Sequence, residues 1–113
     1  MFENLKNSTI YFGREPQNAR MLVAMKIGGN IQKGVMGEMG SVPQSVSRCI
    51  PDQQKYHCRL HIDNDGSMTL STGNNYTYVG GFEIESKRIT PNSSIALGID
   101  KYPLDVKKLL ELA

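Results

Sequence analysis

The 113-residue sequence lacks several features that would each point to a class of protein. It has no apolar run approaching the ~18 residues that a membrane-spanning helix needs, and its first residues do not form a secretory signal. Its formal net charge is only +2, so no general field attracts nucleic acid or an anionic membrane surface. We therefore expect a soluble cytoplasmic domain whose partner is neither a nucleic acid nor a membrane.

Cysteine and histidine are scarce, with two residues of each. Because cytoplasmic thiols stay reduced and both cysteines have apolar neighbours, we expect Cys49 and Cys58 to be buried thiols, with a disulfide or a metal or redox role as less favoured alternatives. His57 and His61 lie four residues apart, about 13 Å along a strand, which is too far for one metal ion without another element. The sequence therefore predicts neither a metal site nor a cofactor.

Motifs of enzymes are also missing. The chain has no Gly-x-Ser-x-Gly elbow, no phosphate-cradling loop with its lysine, and no acidic pair placed by a motif. The Asp63-Asn64-Asp65-Gly66 segment resembles the start of a calcium loop, but the twelfth position holds Asn74 instead of glutamate, and turn chemistry explains the segment. We expect a protein without enzymatic activity.

Turn residues are frequent in the chain and recur every eight to twelve positions. The runs between them are rich in Ile, Val, Thr, Tyr and Met, which is typical of a β-sandwich or barrel. The length is that of one ordinary domain. The pattern predicts a single all-β domain over residues 1–113.

Individual strands follow from local patterns. A run at 9–12 ends at Gly13-Arg14-Glu15-Pro16, and the nearly continuous apolar run Met21–Ile27 predicts an interior strand. Residues 57–62 alternate, which predicts that Cys58, Leu60 and Ile62 face the core and His57, Arg59 and His61 the other side. The region 28–45 is rich in glycine and methionine and gives no clear strand prediction.

Turns and a closing helix complete the predicted elements. Hairpins are expected at 63–66 and at Gly80-Gly81, because these residues tolerate a positive φ. A further turn at 90–93 precedes a strand near 95–98. Asp105 is expected to cap a short C-terminal helix over 106–113.

One segment resembles a known family. Residues 75–81, Asn-Tyr-Thr-Tyr-Val-Gly-Gly, resemble the Asn-Gly-Thr-x-Val-Asn-Gly signature of forkhead-associated domains, and residues 82–98 follow in similar order. Upstream, residues 56–62 resemble the strand that carries the family's Ser-x-x-His motif, with His57 as the histidine. The similarity covers residues 54–104.

The resemblance implies an eleven-stranded β-sandwich of the forkhead-associated type, here with a short C-terminal helix, whose loops at one end bind phosphothreonine peptides. In that family an arginine after a glycine, the motif serine and the asparagine of the Asn-Gly-Thr loop hold the phosphate and the peptide backbone. It therefore implies a protein-interaction module whose partner is a protein or a phosphothreonine peptide, with an altered or lost phosphate site.

Two alignments of the serine motif remain open. If His57 is the motif histidine, Gln54 takes the serine position and Lys55 follows it. If Ser47-Arg48 is the serine motif, Ile50 takes the histidine position. The candidate binding residues are Ser47, Arg48, Lys55, Asn74 and Asn75.

The remaining motif positions also depart from the family pattern. The glycine-arginine pair is either Gly13-Arg14, far upstream, or the better spaced Gly37-Glu38, which has the wrong charge. Tyr76 stands where the family has glycine, and a left-handed backbone there would cost about 1 kcal/mol. The alternative function is therefore a structural or assembly domain with phosphate-independent protein contacts.

Overall fold

A computed structural model describes residues 6–27, 30–73 and 75–112, and within them ten strands and one short α-helix form an all-β fold. The strands are β1 (Ser8–Arg14), β2 (Met21–Ile27), β3 (Asn30–Met36), β4 (Cys58–Ile62), β5 (Met68–Thr72), β6 (Thr77–Val79), β7 (Phe82–Glu83), β8 (Ser86–Ile89), β9 (Ile95–Leu97) and β10 (Tyr102–Leu104). Helix α1 (Val106–Leu112) follows, and a single 3-10 turn covers Pro51–Gln53.

The strands form two antiparallel sheets. The larger sheet has the order β3-β2-β1-β4-β5-β8, and the smaller has the order β10-β9-β6-β7. Strand β1 lies in the middle of the larger sheet, where it pairs with β2 on one side and with β4 on the other. The end of β1 at Arg14 therefore lies next to the start of β4, which positions the candidate site.

The hydrophobic core lies between the two sheets. Cys58, Leu60 and Ile62 of β4 are fully buried, as the alternation predicts, and they share one cluster with Leu97 of the smaller sheet and Val106 of α1. Burying a side chain of this size contributes about 1.5–3 kcal/mol. The shared core gives a sandwich-like arrangement of the two sheets.

Strand β2 is interior and apolar on both faces, which confirms the prediction from its continuous apolar run. Met21 and Val23 belong to the main core, whereas Leu22 and Ala24 belong to a second cluster on the outer face of the larger sheet. A strand that is covered on both faces has apolar residues at successive positions, so its sequence does not alternate between apolar and polar residues. The turn predicted at Gly28-Gly29 lies outside the described residues.

The predicted hairpins and helix cap are confirmed. Strands β4 and β5 pair across the 63–66 turn, and β6 and β7 pair across Gly80-Gly81, whose φ angles of 60° and 87° suit glycine. The Asp105 Oδ1 accepts hydrogen bonds from the N–H groups of Lys107 and Lys108 at the start of α1.

Strand β3 was not predicted from the sequence. It forms one edge of the larger sheet, and all its residues except Met36 are exposed. Because neither face of the strand is buried, its sequence carries no period of two.

Cys49 and Cys58 are buried free thiols, as predicted. Desolvation raises the pKa of Cys49 to about 11 and raises that of Cys58 further. Both thiols therefore stay protonated at neutral pH and act as small core residues.

No helix within the described residues is long and apolar enough to cross a membrane.

Candidate functional site

The site is built around residues 45–48, which lie against the end of β1. The Arg14 N–H donates to the Ser47 carbonyl oxygen at 2.8 Å, and the Cys49 N–H donates to the Arg14 carbonyl oxygen at 3.0 Å. Arg14 and Arg48 thereby form a parallel bridge. This pairing brings the Gly13-Arg14 and Ser47-Arg48 segments together, although they are distant in sequence.

The buried side chain of His57 is hydrogen bonded to the 45–48 loop. The Ser47 N–H donates to His57 Nδ1 at 2.9 Å, so the proton of the neutral ring lies on Nε2, which donates to the Tyr76 carbonyl oxygen at 2.6 Å. Burial of the ring lowers its pKa, opposed in part by the hydrogen bond to Tyr76. His57 is therefore a neutral link between the 45–48 loop and the start of β6.

The position of His57 corrects a sequence prediction. Alternation placed it with Arg59 and His61 on the exposed side of the strand, yet its side chain is 0% exposed. Strand β4 begins only at Cys58, and the loop that contains Ser47 covers the preceding residue. A covering loop that is distant in sequence leaves no periodic signal in the strand itself.

The side chain of Asn75 is also hydrogen bonded to this loop. Its Nδ2 donates to the Ser45 carbonyl oxygen at 2.7 Å and lies 3.3 Å from Ser47 Oγ, while its Oδ1 accepts the Tyr76 N–H at 2.8 Å. Tyr76 does not have a positive φ, so the strain considered for this position does not arise. Asn74, the other candidate amide, lies outside the described residues.

Three cations surround a depression beside this loop, which we call the cationic depression. It has a volume of about 400 Å³, and its lining includes Arg14, Ser47, Arg48 and Lys55. No carboxylate is among the residues described as lining it. Three positive charges, with no carboxylate among the described lining residues, favour an anionic ligand.

Arg14 carries the most specific signal in the depression. Its Nε is buried and has no hydrogen-bond partner in the described part of the chain. Arg20, by contrast, donates from Nε and Nη2 to both carboxylate oxygens of Glu15, at 2.8 and 3.1 Å. A buried donor without a partner costs about 1–3 kcal/mol, and more when it is charged, so it calls for an explanation such as a ligand.

The structure brings together residues from both alignments that the sequence left open. The Ser47 N–H donates to His57 Nδ1, and residues 49–56 form a loop between them. Backbone hydrogen bonds in both directions between Ile50 and Lys55 close this loop around the 3-10 turn. Lys55 consequently lines the cationic depression, whereas Gln54 does not.

The glycine of the Gly13-Arg14 pair is required by close packing. A Cβ atom at Gly13 would lie 2.6 Å from the Ser47 carbonyl oxygen and 2.8 Å from the Cys49 nitrogen, both backbone atoms. By contrast, Gly37-Glu38, the other candidate pair, does not line the depression.

Replacing Gly13 with alanine is expected to push the 45–48 loop away from β1. We expect Gly13→Ala to lower the free energy of unfolding by about 1–3 kcal/mol, measured by urea denaturation. Gly34→Ala in β3 is the matched control, because nothing lies within 4 Å of a Cβ there. Equal stability of the two variants would show that the close approach at Gly13 is unimportant.

Comparison with known proteins finds no matching family model, no similar curated protein and no similar solved structure. Function must therefore be inferred from the residues of the site themselves.

Proposed function

We propose that this chain is a protein-interaction module of the forkhead-associated type, without enzymatic activity, that binds phosphothreonine peptides at the cationic depression. The observation that carries the proposal is the buried Nε of Arg14, which has no hydrogen-bond partner among the described residues and lies in the same depression as Arg48 and Lys55. A phosphate dianion supplies both the acceptor that Arg14 lacks and the charge that balances three cations.

Each lining residue has a distinct role in this proposal. Arg14 and Arg48 present planar guanidinium groups that match phosphate oxygens, and Lys55 adds a point charge from the 49–56 loop. Ser47 Oγ lies near the Asn75 amide, which donates to it, so the hydroxyl proton remains free for a phosphate oxygen. Charge-assisted hydrogen bonds of this kind contribute about 1.5–3 kcal/mol each before desolvation costs.

His57 and Asn75 are positioning residues in this scheme. Both amide protons of Asn75 point to the 45–47 segment, and its Oδ1 keeps one lone pair that can accept a peptide N–H. The His57 ring positions the Ser47 backbone by accepting its N–H. The loop is therefore held in position before a ligand arrives, which lowers the entropy cost of binding.

The fold agrees with this proposal. Two antiparallel sheets share one core, and the site lies in loops at one end of the strands β1, β4 and β6. A cytoplasmic location, which we retain as part of the proposal, suits two buried free thiols.

The test is capture of peptides from a degenerate phosphothreonine library, with the unphosphorylated library as control, at fixed moderate salt. We expect phosphate-selective capture that Arg48→Ala and Lys55→Ala each reduce about tenfold or more. Lys87→Ala is the matched control, since Lys87 is exposed on β8 and does not line the depression. Equal capture of both libraries would refute phosphate recognition, and a mass that then rises with concentration would favour the assembly function.

A further inference from the structure

Strand β3 is the longest edge strand of the two sheets within the described residues. It has seven residues, whereas β8, β10 and β7, the strands at the other sheet edges, have four, three and two. It pairs with β2 along its whole length, from Asn30 opposite Ile27 to Met36 opposite Met21. Its other side therefore presents backbone N–H and C=O groups that no strand in the described part of the chain pairs.

The three other edges carry features that discourage the pairing of a further strand. Strand β8 has two adjacent cations, Lys87 and Arg88, and Pro103 in the middle of β10 has no N–H to donate. Strand β7 is too short to hold a partner. Strand β3 contains one charged residue, Lys33, and no proline. It is therefore the edge at which strand addition is least opposed.

The outer face of β3 alternates apolar and cationic side chains. Lys33 and Val35 lie opposite Ala24 and Leu22, which belong to the cluster on the outer face of the larger sheet, and Ile31 shares that face by alternation. Ile31 and Val35 are 37% and 36% exposed. Lys33 is exposed as well, and it forms no ion pair with an acidic residue in the described ranges. This face therefore presents one cation between two accessible apolar groups.

The inner face of β3 is also uncovered. Gln32 and Gly34 are exposed, and nothing lies within 4 Å of a Cβ built at Gly34. Among the residues of β3, only Met36 packs against the main core. An added strand therefore has room on both faces, and a large side chain on it can cover Gly34.

We propose that an extended segment of a partner protein adds to β3 as a further strand of the larger sheet. The free backbone groups of an edge strand are complementary to another extended backbone, which defines the class of ligand. The side chains define its pattern: an acidic residue opposite Lys33, with apolar residues two positions before and after it opposite Ile31 and Val35. This partner surface is independent of the cationic depression and needs no phosphate.

A second copy of the chain fits this edge less well than an acidic partner segment. Antiparallel pairing of β3 with β3 of another copy, with Ile31 opposite Val35, places Lys33 opposite Lys33. Like charges directly opposite each other destabilise a strand pair. The charge on Lys33 therefore favours a partner that carries a carboxylate at this position.

The test uses two unphosphorylated peptides, Thr-Val-Thr-Glu-Thr-Ile-Thr and Thr-Val-Thr-Lys-Thr-Ile-Thr, titrated into the domain by nuclear magnetic resonance. We expect the glutamate peptide to shift the backbone amide signals of β3 and slow their hydrogen exchange, and to bind about three- to tenfold more tightly than the lysine peptide. Lys33→Glu should reverse this preference. Lys87→Glu is the matched control, because it makes the same charge change on the exposed edge strand β8 and should leave the preference unchanged.

Backbone pairing is tested separately from side-chain contact by methylating alternate nitrogens of the glutamate peptide. Successive N–H groups of a strand point to opposite sides, so methylation of one set should abolish binding and methylation of the other set should be tolerated. Equal tolerance of both sets, signal shifts outside β3, or no binding at millimolar peptide would each overturn the inference. A dimer of the free domain with protected β3 amides would overturn it in favour of a second copy. Because the probes carry no phosphate, these outcomes leave the proposed phosphothreonine site untouched.

Discussion

Replacing Arg14 and Arg48 together with methionine is expected to weaken phosphothreonine-peptide binding by about two to four orders of magnitude. The reason is that two charge-assisted hydrogen-bond donors are lost from a depression whose described lining has no other guanidinium group. Isothermal titration calorimetry with a phosphorylated peptide and its unmodified counterpart measures the effect. Binding of the unmodified peptide should not change.

Replacing Arg14 alone with methionine is not expected to destabilise the unbound domain if the role of Arg14 is to bind a ligand. Methionine retains the apolar stem of Arg14 but removes the buried, unpartnered Nε, so Arg14→Met should leave the free energy of unfolding unchanged or raise it. Arg20→Met is the control, because it breaks the ion pair with Glu15 and does not touch the depression. If Arg14→Met instead destabilises the domain and leaves phosphopeptide affinity intact, Arg14 is a structural residue and the proposed site is wrong.

The sequence predicts the elements whose signal is local. The alternation at Cys58, Leu60 and Ile62 and the Gly80-Gly81 turn follow from side-chain period and backbone freedom, which depend on neighbours in the chain. The all-β class follows in the same way. Strand β3 escapes prediction because an exposed edge strand needs no apolar face.

The candidate site is only partly predictable, because its parts meet through long-range contacts. Ser47, Arg48 and Lys55 were predicted as single residues, and the structure brings them into one depression. Their partner Arg14 joins them through backbone pairing between the end of β1 and the 47–49 segment. Spacing along the chain does not predict this arrangement, because it depends on backbone pairing between segments that are distant in sequence.

The burial of the His57 side chain also depends on a contact that the sequence pattern does not reveal. Its sequence position suggests an exposed face, and its buried state depends on a loop ten residues earlier that donates the Ser47 N–H. The resemblance also points to His57, as a motif histidine, and that assignment stays a prediction. The role of a buried polar group depends on its hydrogen-bond partners, and these are known only from the fold.

Removing the imidazole of His57 is expected to be strongly destabilising. His57→Leu leaves the Ser47 N–H and the Tyr76 carbonyl oxygen without their partner, at about 1–3 kcal/mol for each buried group. We therefore expect the free energy of unfolding at pH 7.5 to fall by about 2–5 kcal/mol in urea denaturation. A loss below 0.5 kcal/mol would mean that His57 does not link the loop to β6.

Lowering the pH should reduce the free energy of unfolding of the wild-type domain through His57. The direction of the effect follows from the direction of the His57 pKa shift. Burial lowers the pKa of folded His57 below its ordinary value of 6.5, so below pH 6.5 the unfolded state binds a proton that the folded state does not. Stability is fully present above pH 6.5 and is lost as the pH falls towards the folded pKa, with a slope of at most about 1.4 kcal/mol per pH unit.

The physical cause of this acid sensitivity is the fixed tautomer of the ring. A proton added to Nδ1 would face the Ser47 N–H, which can only donate, so the charged ring loses one hydrogen bond as well as its solvation. Glu15 and Asp65 do not account for a loss of stability in this range, because hydrogen bonds lower their pKa values further below 4.5 and 3.8. His61→Gln is the control, since it removes the other histidine of the sequence and so separates any contribution of His61 from that of His57. Urea midpoints of the wild type that do not change between pH 7.5 and 5 would contradict a buried neutral His57, whereas a slope that disappears in His57→Leu would assign the acid sensitivity to this ring.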